Sequence, residues 1–335
     1  MNSKQNLTID DIARDLGVSK TTVSRAISGK GRISAATRAK VQEYIQIHNY
    51  RPNAAAKGLA ESKTYNLALV LPRSFIKLDQ PFVRQSMSAI CEEAFLHDYN
   101  VMLCLSTENY SDPLIRTLDY RKVDGVILTR TVEHDSLIDI LSSRGIPFAT
   151  MGSLSNNCRG AAVVEADHDQ TGGCCAFTRQ LLEGKTGKTA LLGQDLSYIV
   201  NQSRIAGFRQ ACQELGLPME QTPIRLGLGD EAACGRAVEE LLNQGVRRFL
   251  CMDDEICLRI LNQLALRGLE VPRDAEVACL YDTDQMAACA ISSLRFDAWE
   301  LGRVACRELL HSLNEKPFDP KPLLGYTIQM RESTL

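Results

Sequence analysis

Two short helical patterns separated by Gly17 constrain this chain more than any other feature. Ile9, Ile12, Ala13 and Leu16 recur at helical spacing. Thr8 stands three residues before Asp11 in the arrangement of a capping box, with Asp in place of the preferred Glu. Beyond Gly17 and Val18, Ser19 can cap a second helix in which Val23, Ala26 and Ile27 point inward. Lys20, Thr21, Ser24 and Arg25 are left outside. Two short helices joined by a glycine turn, the second showing cations and hydroxyls, make a helix-turn-helix. Its second helix would place its first residues at base edges in a major groove. Any small helical hairpin also has an apolar inside and a charged outside, so the pattern needs support from charge.

Charge supplies it. Residues 1–64 hold 11 Lys+Arg and 5 Asp+Glu, leaving 27 of the 38 basic and 36 of the 41 acidic residues to the rest. A basic head on an acidic body is the footprint of a protein that meets a polyanion through its head. The net charge of −3 would not have shown this.

The motifs Thr8-Ile9-Asp10-Asp11-Ile12-Ala13, Gly17-Val18-Ser19, Thr22-Val23-Ser24-Arg25 and Tyr50-Arg51-Pro52-Asn53 resemble the head of the LacI/GalR family of bacterial transcription regulators. The resemblance implies an all-α helix-turn-helix headpiece, a hinge helix that orders on DNA, and an α/β core. That core would be two doubly wound parallel-sheet subdomains of periplasmic-binding-protein type. It implies operator contacts from Thr8, Ser19, Lys20, Thr21, Thr22, Ser24, Arg25, Tyr50 and Asn53, and from Ala56, Lys57, Leu59 and Ala60 of the hinge. Lysine and arginine can bond guanine edges, and threonine can touch a thymine methyl.

After Arg25, Ser34 can cap a third helix, with Ala36, Ala39, Val41, Ile45 and Ile47 as its apolar positions and Arg38 and Lys40 able to meet phosphates. Pro52 ends that helix, because proline restricts the residue before it. Asn53 can then start a short helix through Ala60, one too brief to be stable alone and further weakened by Gly58. The resemblance gives Leu59 the role of a wedge into the minor groove, where an apolar side chain offsets unstacking with extra contact. A plain linker would account for the alanines but not for that leucine.

The 335 residues suggest two or three domains. The expected division is a headpiece at 1–50, a hinge and linker at 51–64 and a core at 65–335. Within the core an N-subdomain is expected at about 65–165 and 293–322, and a C-subdomain at about 166–292 and 323–335. Residues 1–6 have no apolar run of the kind a secretory signal needs, and no stretch approaches a membrane span. The twelve cysteines are scattered through apolar segments without a C-x-x-C pair, so they read as small buried hydrophobes of a reduced, cytoplasmic chain rather than as disulfides or metal ligands. No cofactor is expected. The five histidines lack metal-ligand spacing.

From residue 66 apolar runs suited to buried strands (67–71, 101–105, 125–128, 147–151, 189–192, 249–252 and 276–280) alternate with amphipathic stretches such as 82–97, 203–215, 231–243 and 255–267. Such alternation means parallel sheets covered on both faces. Ligands then bind beyond the carboxyl ends of strands, which points to Arg73 and Ser74, Gly152 and Ser153, Asp253 and Asp254, and Asp282. The resemblance adds Arg204, the arginine of an R-x-x-G-F motif, and strengthens Asp253 and Asp282. Asp253 replaces a usual Asn, and Thr283 replaces the second acid after Tyr281. Asp79 and Phe82 occupy what remains of an N-P-F-F motif, with Phe82 as a stacking face, and Phe296 lies near an expected strand crossing. Arginine with two carboxylates suits a hydroxyl-rich ligand, because forked donors and acceptors grip vicinal hydroxyls. An ion-pair network tying strand ends is the competing reading of the same residues.

Two enzyme-like signals carry less. Residues 227–232 fit G-x-G-x-x-A but fall within the sensing core. His168 and Asp169 are neighbours on a turn and would seldom aim at one atom. The expected protein is therefore a homodimeric regulator, most simply a repressor, which binds a palindromic double-stranded DNA operator under control of a small effector, a carbohydrate by preference. A metabolic enzyme with a regulatory DNA-binding head is the alternative. No heptad tail follows residue 330 to suggest a tetramer.

Overall fold

In the computed structural model, residues 7–29, 31–50, 54–73, 81–106, 112–155 and 163–335 are described, and the chain divides into two units, Met1–Thr64 and Tyr65–Leu335. The first unit carries α1 (Ile9–Leu16), α2 (Lys20–Ser28), α3 (Ala35–Ile47) and α4 (Ala54–Glu61). The start signals act as expected. Thr8 and Asp11 form a reciprocal capping box, and Ser19 and Ser34 accept from the backbone N–H groups of Thr22 and Thr37. Gly17 ends α1 at φ 63°, a left-handed conformation that glycine adopts without strain.

Ile12, Val23, Ala26, Val41 and Tyr50 form the small core of this unit, with Leu16, Tyr44 and Ile45 packed around it. The third helix differs from its sequence reading. Ala36, Ala39 and Ile47 are exposed, because Val41, Tyr44 and Ile45 already cover the two shorter helices. In α4, Gly58 has a use beyond weakening the helix. A β-carbon there would lie 2.5 Å from the carbonyl oxygen of Lys63, whose own N–H donates to the Gly58 carbonyl at 2.9 Å.

The second unit holds two six-stranded sheets among the described residues. In the first, β1 (Asn66–Pro72), β2 (Asn100–Ser106), β3 (Gly125–Leu128), β4 (Phe148–Met151), β5 (Val163–His168) and β11 (Leu323–Leu324) lie in the order β11-β5-β4-β3-β1-β2. In the second, β6 (Lys188–Leu192), β7 (Ile224–Arg225), β8 (Val246–Cys251), β9 (Glu276–Cys279), β10 (Ser292–Arg295) and β12 (Thr327–Gln329) run β12-β10-β9-β8-β6-β7. All pairings are parallel except β10 with β12.

Alternate strand residues build separate cores on the two faces of each sheet. Leu67, Leu69 and Ile127 pack beneath α13 (Ala298–Leu313) and α5 (Pro81–Leu96). Ala68, Val70 and Val126 face α6 (Asp112–Asp119) and α7 (Ser136–Ser143). In the second sheet α8 (Gln170–Leu182) and α9 (Ile199–Glu214) cover one face, and α10 (Glu231–Asn243) and α11 (Asp254–Ala265) the other. Burial on both faces explains why the strands read as unbroken apolar runs rather than as alternating ones.

The chain crosses between sheets after His168, after Arg295 and between Leu324 and Thr327, a few residues later than the sequence boundaries at 165/166, 292/293 and 322/323. Strand β5 stays in the first sheet to its end because β4 and β11 both pair with it, so the hydrogen-bond ladder sets the crossing. Nine of the eleven described cysteines are buried and none forms a disulfide. Burial pushes the thiol of Cys174 up to about 12 and that of Cys212 up to about 11, so both remain protonated. Among the described residues, no helix is long and apolar enough to cross a membrane and no cluster of His, Cys, Asp or Glu is placed to hold a metal ion.

Candidate nucleic-acid interface and ligand cleft

On α2 the buried Val23 and Ala26 leave Lys20, Thr21, Ser24 and Arg25 on the exposed side. Lys20 reaches Asp10 on α1 at 2.7 Å, with both side chains more than half exposed. A pair in that setting contributes little and leaves the ammonium available. Ser19 and Thr22 are committed locally, their hydroxyls 2.8 Å apart at the start of the helix. Tyr50, to which the resemblance gives a DNA contact, also belongs to the headpiece core. Its ring is buried in the helical core and its hydroxyl is held above its ordinary pKa by that burial. Thr8 is exposed but engaged with Asp11. On α4, Leu59 and Ala60 are exposed, Leu59 to 85%. The backbone of Ala56 and Lys57 lies in the same helix, and Asn53 falls outside the described residues.

In the second unit a cleft of about 300 Å³ opens at the carboxyl ends of the strands of both sheets. Arg130 follows β3, Gln194 and Asp195 follow β6, and Asp253 follows β8, which places them at the points where each strand order reverses. This is where an open parallel sheet leaves a crevice. Main-chain contacts cross between the lobes: the Glu133 N–H donates to Ser197 O at 2.9 Å, and the Ile199 N–H donates to Thr131 O at 3.2 Å.

Arg204 lies 8% exposed on the wall of this cleft. Its Nε donates to Gln170 Oε1 at 3.2 Å, and its Nη1 donates to the Met252 carbonyl at 2.6 Å. Burial depresses its pKa, and the charge of Asp253 opposes that depression. The R-x-x-G-F motif has a packing reason. A β-carbon at Gly207 would stand 2.3 Å from Thr171 O, so only glycine lets α9 lie this close to α8, and the contact positions Arg204. Asp253 caps α11 by accepting from the Ile256 N–H at 2.8 Å. Burial raises the pKa values of both Asp253 and Asp254. Phe82 meets the ring of Tyr281 edge-on at 6.1 Å, and Phe296 lies 5.1 Å from the ring of His168.

The cleft thus brings together Phe82, Gly152, Arg204, Asp253, Asp254 and Phe296 of the sequence candidates. Three others stand elsewhere. Asp282 is drawn away by Arg331, whose Nη1 and Nη2 donate to its two oxygens at 2.7 and 3.1 Å, with Ser293 Oγ donating as well. For that residue the ion-pair reading describes the geometry. Ser153 donates its N–H and Oγ to Asp167 at 2.8 and 2.7 Å, holding a carboxylate that lines the cleft while not lining it itself. Arg73 is exposed at the end of β1 and is absent from the cleft wall. Asp79 lies outside the described residues.

Sequence reasoning missed Arg130, Gln194, Asp195 and His168. The strand-end rule would have found the first three had it been applied to β3 and β6. His168 had been weighed only as a base beside Asp169. That carboxylate instead caps α8 through the Gly172 N–H.

Comparison with known proteins agrees with both halves. Residues 8–53 match the family described as bacterial regulatory proteins, lacI family, and residues 178–334 match the periplasmic binding protein-like domain. Catabolite control protein A of Priestia megaterium is 28% identical, the match covering 98% of this chain and 99% of that one. The protein of that name from Streptococcus mutans is also 28% identical, with full coverage of both. Among solved structures, the lac repressor dimer bound to operator and the anti-inducer ONPF superposes with a TM-score of 0.75 at 20% identity, over 99% of this chain and 100% of that one. A complex of the transcriptional regulator CelR with cellobiose gives 0.72 at 24%, over 98% and 99%.

Proposed function

We propose, from the premise that the chain belongs to the LacI family of bacterial regulatory proteins, that this transcription regulator represses from a palindromic operator as a homodimer. It acts as a binding protein rather than an enzyme. The observation that carries the reading is α2, where Lys20, Thr21, Ser24 and Arg25 are exposed above a buried Val23 and Ala26 on a unit with surplus positive charge. Such a helix reads base edges, while neighbouring cations grip phosphate. Each copy supplies one such helix, so two copies are needed to read two half-sites. The headpiece at about 1–50, the hinge at 51–64 and the core at 65–335 then divide the labour. Leu59, exposed on α4, is the apolar wedge of the hinge.

The effector is a carbohydrate held between the lobes of the core by Phe82, Arg204, Asp253 and Phe296. Aromatic faces, an arginine fork and carboxylate acceptors in one cleft support this, as does the cellobiose bound by a structural relative. Selection of random duplexes by the intact chain, followed by titration of the recovered sequence at rising salt, tests the DNA half. A palindrome should emerge, and its affinity should fall by about a thousandfold or more between ~50 and ~200 mM salt if six or more phosphates are gripped. A flat dependence would refute it.

A further inference from the structure

The two glycines that follow α2 are not equivalent. Gly29 ends the helix at φ 71°, an ordinary use of glycine at that place. Gly31 lies outside any helix and also has a positive φ, 88°. The turn they belong to is held at both ends. Ile27 of α2 and Ile33, ahead of α3, both pack against the core of the helical unit. Arg38 of α3 donates through Nη2 to the Gly29 carbonyl at 3.4 Å. Gly31 therefore has a set place beside α2. Lys30, between the two glycines, lies outside the described residues.

The stem of Arg25 runs across that place. A β-carbon on Gly31 would stand 3.0 Å from Cδ, 3.2 Å from Nε and 3.3 Å from Cγ of the arginine, and contacts that short would force the stem aside. Gly17 and Gly29, which end α1 and α2, have nothing within 4 Å of where their β-carbons would be. Those two serve the backbone alone, whereas Gly31 also makes room. Arg25 is exposed in the last turn of α2. An unsupported arginine there would sample many rotamers and lose that freedom on docking, and a stem already laid against the turn loses less.

Building on the DNA-reading role proposed for α2, we infer that Gly31 is a positioning residue for Arg25. It fixes the path of the arginine stem so that the guanidinium meets a base edge in one preset direction. A fixed direction matters for the forked contact of arginine with a guanine edge, while a phosphate accepts a cation from many sides.

A double-mutant cycle on the full chain tests this, with the operator recovered by duplex selection as the probe and fluorescence anisotropy as the readout. Arg25→Ala should weaken the operator by about 5- to 150-fold, the range for one base contact. Gly31→Ala should reproduce much of that loss in the parent, yet cost less than about twofold where Arg25 is already alanine. Equal losses in both backgrounds would make Gly31 a glycine of the fold alone and overturn the inference, as would an undiminished parent affinity. Positive φ by itself burdens alanine, so Gly31→Asn is the second variant. Asparagine tolerates that backbone conformation and still brings a β-carbon to the arginine. It should weaken the operator as alanine does. Full affinity in Gly31→Asn would show that glycine relieves backbone strain there and does not serve Arg25.

Repeating the selection gives a readout that a loosened fold would not move. Gly31→Ala and Arg25→Ala should relax preference at the same base pair of each half-site and leave the other positions as they were. A loss uniform across sequences would put the guanidinium on phosphate and overturn the direction-setting role. An Arg25→Ala chain with parental affinity would remove Arg25 from the interface, and the inference with it. Recovery of no preferred duplex by the parent would remove the DNA-reading role itself.

Discussion

At the scale of the residue, His168 couples the cleft to pH. Its folded pKa of about 4 lies below the ordinary 6.5. The unfolded chain therefore binds more protons between those values, and the stability that the neutral ring contributes is full above pH 6.5 and lost as pH falls toward 4. The difference corresponds to about 3 kcal/mol. Half-buried Asp167, Asp253 and Asp254 have pKa values raised by desolvation and slope the other way, so the test is a comparison of variants. Urea titrations of the parent and His168→Gln should show the parent losing ground to the variant as pH drops through this window. Parallel pH profiles would show that the imidazole is not held neutral. Residue identity alone does not show where a side chain is engaged: Tyr50 lies in the helical core and Asp282 is bonded to Arg331.

At the scale of the element, the proposed hinge rests on the eight residues of α4. Gly58 lowers its helix propensity by about 1 kcal/mol, yet the close approach of the Lys63 carbonyl leaves no room for a β-carbon. The helix is therefore kept weak by a glycine that the following turn requires. Leu59, 85% exposed, has almost nothing to lose in the free protein. Leu59→Ala should thus leave the melting temperature unchanged, while operator affinity falls by about 10- to 100-fold, the value of burying one leucine side chain. Gel-shift titration reads the affinity directly, and an undiminished complex would exclude the wedge. Elements of this kind were legible beforehand because caps, glycine turns and apolar spacing act over a few residues. The stretches at 231–243 and 125–128 were read with the bounds they have, whereas the short strands β11 and β12, of two or three residues each, carry too little pattern to be seen.

At the scale of the whole molecule, the cleft and the DNA helix belong to different units, so control of one by the other is a coupling free energy. A ligand that alters operator affinity about 5- to 150-fold must have its own affinity altered by the same factor when operator is bound. Paired titrations, of operator with and without the bound sugar and of sugar with and without operator, should return equal factors. A sugar that binds the cleft without moving operator affinity would sever sensing from regulation in this account.

The amino-acid sequence by itself determined the helix-turn-helix, the three helix caps, the basic head and the parallel, doubly covered character of the sheets, all of which rest on spacing or composition within a short window, where local sterics and hydrogen bonding decide. The two-lobed division of the core and the arginine of the R-x-x-G-F motif came from the family resemblance. Only the tertiary structure decided which charges meet. Asp282 finds Arg331 49 positions away, and Arg204 finds Gln170 34 positions away. It also decided that His168, which the sequence offered only as the neighbour of Asp169, lines a cleft with one nitrogen unpaired. The partner of a buried polar group depends on which elements pack together, and that choice is made by the burial of apolar surface over the whole core rather than by neighbours along the chain.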